Sequence, residues 1–441
     1  MNLNRHEFLI GAFKAALGAA DPRQILPKGL ADTFDQPLKG RVLVLGAGKA
    51  AASMAQALEV YAQAHWPDAK LDGLVITRYG HRAPTSLIRV VEAGHPVPDA
   101  AGMAAAVETL KLVQSLKPND HLIALISGGG SSLLTLPASG LSIEDLRQTT
   151  QALLRSGAPI GDMNVIRKHL SAILGGHLAR EAYQCGAQVD AFLISDVTGD
   201  HPSSIASGPC APDPSTFADA LRILENYDLG EKQIPKAVLD YLRDGVLGKR
   251  PETPKEGDAV FSRTRNHLLA SAHVSLEAAA AFCQSHGVLP VSLGDTVMGE
   301  ARDVALMQAS IAREIFLYDR PFKKPVALLS GGECTVTIPQ GVNGRGGRCS
   351  EFLLSLFAHT EDLQTLSALA ADTDGIDGSE QNAGAWFTSE TRQQSEASIQ
   401  LAKTSLSQHD AYGFFANTDT LLQTGPTLTN VNDFRILLID N

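Results

Sequence analysis

The sequence predicts an α/β protein: a doubly wound sheet in the N-terminal region followed by a second lobe. Short apolar runs repeatedly end in clusters of Gly, Ser and Asp, and a stretch of helical apolar spacing follows each cluster. That alternation is the mark of strand–helix units and implies parallel pairing. Of the 441 residues, 44% are hydrophobic and 19% charged, enough for a sizeable core, and only 5% are aromatic. A charged, Pro-rich stretch at 241–264 separates two such regions. The expected organisation is therefore a domain over 1–240, a linker over 241–264 and a second domain over 265–441.

The elements follow in order. Phe8, Leu9, Ala12, Phe13, Ala16 and Leu17 recur at helical spacing, while Gly11 and Lys14 interrupt the apolar run. This reads as an amphipathic first helix and not as a signal peptide. Strands are predicted over 41–45, 73–77, 122–126 and 191–194. Ala51, Met54, Ala55, Leu58 and Ala62 mark the helix after the first strand. Ser142 with Asp145 three residues on approximates a capping box, and Gly157 is a stop signal. One helix is predicted over 162–180, with Ile166, Leu170, Ile173 and Leu174 on one face. In the second region, helices are predicted over 271–284 and 299–316. Strands are predicted over 289–293, 326–329, 335–338, 367–371 and 435–439.

Composition excludes several classes. The net charge of -11 argues against a nucleic-acid partner, which needs a basic face. None of the five cysteines forms a C-x-x-C pair, so neither a disulfide scaffold nor a structural zinc site is expected, and a reduced, cytoplasmic setting fits. No apolar stretch reaches the ~18 residues of a membrane span, so no membrane partner is expected.

The strand ends carry the chemistry. Gly46-Ala47-Gly48-Lys49-Ala50-Ala51 matches the dinucleotide pattern G-x-G-x-x-A. The next strand runs into Thr77-Arg78 and offers no carboxylate for a ribose diol, although Arg78 is suited to a 2′-phosphate. In the other reading, Lys49 behind the glycine turn brings a point positive charge to a phosphoryl group, without the spacing of a Walker A loop. Ser127-Gly128-Gly129-Gly130-Ser131-Ser132 sets amides and hydroxyls side by side and lacks the G-x-S-x-G of a hydrolase elbow. Asn343-Gly344-Arg345-Gly346-Gly347-Arg348 places two guanidiniums in a glycine-rich loop, suited to carboxylate or phosphate. Asp196, Asp200, Asp372, Asp374 and Asp377 end strands, where carboxylates hold Mg²⁺ beside phosphates or form turns and caps. His95 and His201 each precede a proline and read as loop structure.

Together these motifs resemble the glycerate 2-kinases of the MOFRL-domain type. The resemblance runs over nearly the whole chain, through GAGKAAASM, EAGHPVPD, SGGGSS, NVIRKHLS, ISDVTGD, IASGP, GDTVMGEARDVA, SGGE, GRGGR, DTDGIDG and TGPTLTNVND. It implies a Rossmann-like N-terminal domain, a smaller C-terminal α/β (MOFRL) domain and an active site between the domains. It also implies ATP-dependent phosphorylation of D-glycerate, or a close small hydroxy acid, to 2-phosphoglycerate with Mg²⁺ or another divalent cation. The family's catalytic lysine falls on Lys49 and its catalytic arginine on Arg345 or Arg348.

On this reading Asp196 orients the substrate hydroxyl or a Mg²⁺-bound water, and Asp196 and Asp374 are the expected metal ligands. Gly46, Gly48, Ser127, Gly128, Gly129, Gly130 and Ser131, with Asn164 and Arg167, hold the phosphate or the acid's carboxylate. The partners are glycerate and ATP, and a homodimer is compatible with the sequence. Two other activities fit parts of it: an NAD(P)H-dependent hydroxypyruvate reductase, and a non-catalytic sugar-acid sensor. The chain departs from the family pattern at Leu174, where lysine is usual, and at Cys349, where asparagine is usual.

Overall fold

Six strands form the sheet of one structural unit, Pro22–Leu269. They are β1 (Gly40–Ala47), β2 (Ala69–Arg78), β3 (Ile88–Ala93), β4 (His121–Ser127), β5 (Gln188–Ile194) and β6 (Thr264–Ala270). The computed structural model describes residues 3–339, 341–393 and 398–440. The strand order is β3-β2-β1-β4-β5-β6, and the pairs from β3 through β5 are parallel. This is the doubly wound order expected from the strand–helix alternation. Val42, Leu43, Val44 and Leu45 are all fully buried, so both faces of β1 are covered.

The order reverses between β1 and β4, and their carboxyl ends lie level, with Ala47 opposite Ile126. The turns that leave them therefore emerge side by side, at the switch point where such sheets bind ligands. β3 was not anticipated: Ile88–Ala93 alternates weakly and carries Arg89 and Glu92.

The helix Ile143–Ser156 starts and stops where expected. Ser142 and Asp145 form the capping box, and Gly157 closes the helix in the left-handed region. The single helix predicted over 162–180 is instead two, Ile160–His169 and His177–Gln184. The Ser171 hydroxyl accepts the amide hydrogens of Ile173 and Leu174 and turns the chain out of the first helix. Two left-handed glycines, Gly175 and Gly176, then complete the break.

The 241–264 segment is not a linker. The helix Lys236–Val246 covers its first residues, and its last lead directly into β6. Its Pro-rich middle is tied into the unit, with the Thr253 hydroxyl on Asp213 at 3.0 Å and Glu252 on His169 at 3.2 Å.

The second unit joins Met1–Asp21 to Ala270–Asn441. Its strands are β7 (Leu289–Ser292), β8 (Gly299–Glu300), β9 (Val326–Ser330), β10 (Cys334–Thr335), β11 (Ser367–Asp372), β12 (Gly384–Phe387), β13 (Leu421–Leu422) and β14 (Asp433–Ile439). The main sheet runs β13-β12-β11-β14-β9-β7, and β8 pairs with β10 separately. Only β7 with β9 is parallel in the main sheet, so the expectation of parallel pairing fails here. The strand predicted over 335–338 is confined to β10.

The helix Arg5–Gly18 belongs to this second unit and not to the first domain, as chain order had suggested. Its apolar face packs on the helix Ala272–Ser285, where the bare Gly11 leaves room for the Phe282 ring. Arg5 is held by Asp440 at 2.9 Å, and the Ala20 carbonyl accepts from the Thr429 hydroxyl at 2.7 Å. Amphipathic spacing identifies an apolar face without identifying the surface that covers it.

Candidate active site

In the unit Pro22–Leu269 the turn after β1 is fastened to the turn after β4. The Lys49 amide donates to the Gly128 carbonyl at 2.9 Å and the Ala50 amide to the Ser127 hydroxyl at 3.0 Å. Ser127 thus caps the helix Ala51–His65 from another strand, because Ala50 has no capping side chain. Gly48 must be glycine: its φ is 138°, and a Cβ there would stand 2.1 Å from the Ser127 hydroxyl oxygen.

The amide of Gly48 goes to the Ile76 carbonyl, and that of Ala51 to Gly48. These turn amides are spent inside the unit. The β1 turn therefore offers a ligand its lysine side chain and not the amide cradle that its glycines suggest. Lys49 is half-buried.

The β4 loop leans on a strained turn. Ala206 and Ser207 have φ of 49° and 57°, left-handed values that non-glycine residues seldom adopt. Such residues cost about 1–3 kcal/mol each and cluster where function fixes the backbone. The Ala206 methyl occupies the space that a Cβ on Gly130 would need, and the Ser207 and Ser131 hydroxyls meet at 2.7 Å. Sequence reasoning missed this pair, since a letter A or S carries no signal of left-handed backbone.

Asn164 and Arg167 lie on the helix Ile160–His169. Burial pulls the Arg167 guanidinium down to about 10. No carboxylate lies in salt-bridge range of it among the described residues, and its hydrogen bond to Asn164 Oδ1 is long, 3.4 Å. It lines a cavity of about 30 Å³ with Ser131, Thr135, Thr149, Thr150 and Leu174. The next residue behaves oppositely: Lys168 is paired with buried Asp213 at 2.6 Å and anchors the helix. A desolvated cation without a counter-charge favours an anion beside it. Asp196 is half-buried and stands two residues beyond Ile194, whose partner across the sheet is Ser127.

In the second unit, Arg345 makes a two-pronged pair with Asp410, at 3.2 and 3.1 Å, and remains half-exposed. Arg348 is held by three carboxylates: Asp433 at 2.7 Å, Asp372 at 2.9 Å and Glu333 at 3.1 Å. With Glu351 and His409 the two arginines line a cavity of about 270 Å³. Asp377 is buried and accepts the amide hydrogens of Cys349 and Ser350, at 3.0 and 2.8 Å, at the start of the helix Arg348–Ala358.

Asp374 is buried, and its Oδ1 accepts the Ile376 amide at 2.8 Å, a turn-forming role. Among the described residues no three His, Cys, Asp or Glu side chains form a group able to hold a metal. Cys349 and Leu174 are both buried in apolar clusters.

Comparison with known proteins bears on both units. Residues 8–243 match a domain of unknown function (DUF4147), and residues 326–433 match the MOFRL family. An Agrobacterium vitis protein named "Putative hydroxypyruvate reductase" is 45% identical, over 99% of this chain and 95% of its own. A Pyrococcus horikoshii protein named glycerate 2-kinase is 40% identical, over 96% of this chain and 95% of its own. The crystal structure of glycerate kinase from Thermotoga maritima is 35% identical with a TM-score of 0.83, over 98% of this chain and 99% of its own.

Proposed function

The chain belongs to the glycerate kinase family that joins this domain to a MOFRL domain, and from that premise we propose that it transfers the γ-phosphoryl group of ATP to glycerate, forming 2-phosphoglycerate. The observation that carries the reading is Lys49, presented by two hydrogen-bonded turns at the switch point of a doubly wound sheet.

Phosphoryl transfer asks a protein for position and charge more than for covalent chemistry. Lys49 meets the γ-phosphoryl oxygens, and the Gly129, Gly130 and Ser131 amides donate to the same group. Arg167 takes the acid's carboxylate, because a partly buried guanidinium with no counter-charge among the described residues gains most from one. Asn164 stays beside it to hold the guanidinium plane. In the second unit, Arg345 or Arg348 is the charge-neutralising arginine that the family resemblance implies.

Asp196 orients the hydroxyl that attacks. A divalent cation arriving with ATP would neutralise phosphate charge; such ions need only one or two carboxylates besides the phosphates. Asp196 suits that part, and the lack of an all-protein cage among the described residues is consistent with it. The turn-forming geometry of Asp374 suits it less. The unpaired state of all five cysteines supports a reducing, cytoplasmic setting.

The reductase name borne by some relatives sets the decisive assay. ADP release is followed with D-glycerate, and NAD(P)H oxidation is followed with hydroxypyruvate. Glycerate-dependent ADP release supports the kinase. NAD(P)H oxidation without it would replace the kinase with the reductase.

A further inference from the structure

We propose that His95 is a further anion-binding residue of the Lys49 site, its imidazole donating a hydrogen bond to the phosphoryl group that is transferred. This rests on the reading of Lys49 given above.

The argument begins at Gly129. Its φ is 81°, and a Cβ there would stand 3.0 Å from both Cδ2 and Nε2 of His95 and 3.5 Å from Cγ of Lys49. One bare Cα is thus the shared floor under two cationic or potentially cationic side chains. The edge of the imidazole that bears Nε2 rests on that floor. A side chain at 129 would push either neighbour away, so the loop is glycine here for reasons of space as well as conformation.

The segment that carries His95 is pinned. It leaves β3 through Gly94, where a Cβ would stand 2.7 Å from the Val97 carbonyl oxygen and 3.1 Å from the Asp99 carboxylate. Asp99 caps the helix Ala100–Gln114 through the Gly102 amide at 2.9 Å and accepts from the Tyr79 hydroxyl at 2.8 Å. Three residues beyond His95, Pro98 lines the cavity of Arg167 and Ser131. One short turn therefore overlies both the lysine loop and the arginine cavity, and its histidine is set by backbone.

Lys49 lies across Gly129 from the imidazole, and Asp99 packs against Gly94. An anion arriving at Lys49 shifts the balance toward imidazolium. Imidazole is the side chain whose ordinary pKa allows such a response near neutrality. The pattern His-Pro suggested loop structure; the structure brings that loop to the chemistry.

The test is an NMR titration of the histidines in the full-length protein, with and without adenylyl imidodiphosphate, Mg²⁺ and D-glycerate. Among the 13 histidines, His95 is assigned by the resonance missing from His95→Gln, or from His95→Asn if the first variant does not fold. The expected result is a His95 pKa raised by roughly 1 unit or more on ligand binding. A packing role alone would not produce that rise. If calorimetry shows the nucleotide bound and the His95 titration does not move, the proposal is overturned and the reading of Lys49 stands. If Lys49→Ala binds and turns over as wild type does, the reading of Lys49 fails and the proposal falls with it.

Discussion

The Lys49 amide donates to the Gly128 carbonyl at 2.9 Å, which ties the lysine turn of β1 to the glycine loop of β4. The lysine is therefore aimed by two strands, and its removal tests chemistry with little disturbance of the fold. That bond uses backbone atoms only, so replacing the Lys49 side chain by alanine leaves its donor in place.

Lys49→Ala is expected to lower kcat by about 10²–10³, the loss of one transition-state charge contact worth roughly 3–4 kcal/mol. Thermal unfolding should be nearly unchanged. Steady-state kinetics and calorimetry on the same preparation check both halves; near-normal turnover in the folded variant removes Lys49 from the mechanism.

Arg167→Met separates function from stability. Burial holds this guanidinium at about 10, below its ordinary value, so its charge costs stability at every pH below that. The variant is expected to be at least as stable as wild type, while KM for glycerate rises roughly tenfold or more, as for a lost charged hydrogen bond. Lower stability with an unchanged KM would mean that Arg167 is only a packing residue.

The two loop arginines should behave differently. Arg345 lies in solvent beside Asp410, so Arg345→Ala should leave the denaturation midpoint close to that of the wild type. Arg348→Ala abandons three carboxylates, one fully buried, and should cost about 3–5 kcal/mol. Denaturant melts rank the pair. An activity loss in Arg345→Ala then reports on chemistry directly, whereas one in Arg348→Ala must be read beside its melt.

Acid should unfold the Pro22–Leu269 unit through specific carboxylates. Burial pushes Asp190 up, but hydrogen bonds from His121, His267 and Arg265 outweigh it and hold the carboxyl well below its usual range. Burial likewise opposes Glu252, yet the His169 and Phe217 hydrogen bonds bring it to about 2. Both pKa values are depressed on folding. Their stabilisation is therefore complete above the ordinary carboxylate range and is lost as pH falls through about 4 toward 2. Asp190→Asn should flatten that acid limb in a plot of melting temperature against pH; an unchanged slope would place the acid sensitivity elsewhere.

Much of this was legible in the residues. Strands that run into Gly46, Ser127 and Ser195 announce a doubly wound sheet, and Lys49 stands where the turn chemistry points. Arg167 was visible only as a charge on a predicted helix; that no carboxylate among the described residues pairs with it, while Asp213 pairs with Lys168, depends on the fold. The helix break at Gly175 and Gly176 was hidden under an apolar spacing that both halves share. The segment at 241–264 was misread because charge and proline mark loops, and they do not reveal that Thr253 reaches Asp213. The left-handed Ala206 and Ser207 leave no mark in the sequence at all.

The most direct test of the central claim is phosphorus NMR of the purified protein with ATP, Mg²⁺ and D-glycerate. The account predicts that the γ-phosphate signal declines while ADP and one phosphomonoester grow in equal amounts, the monoester coupled to the proton on carbon 2. A monoester coupled to the carbon 3 protons, or decay of ATP to inorganic phosphate alone, would contradict it.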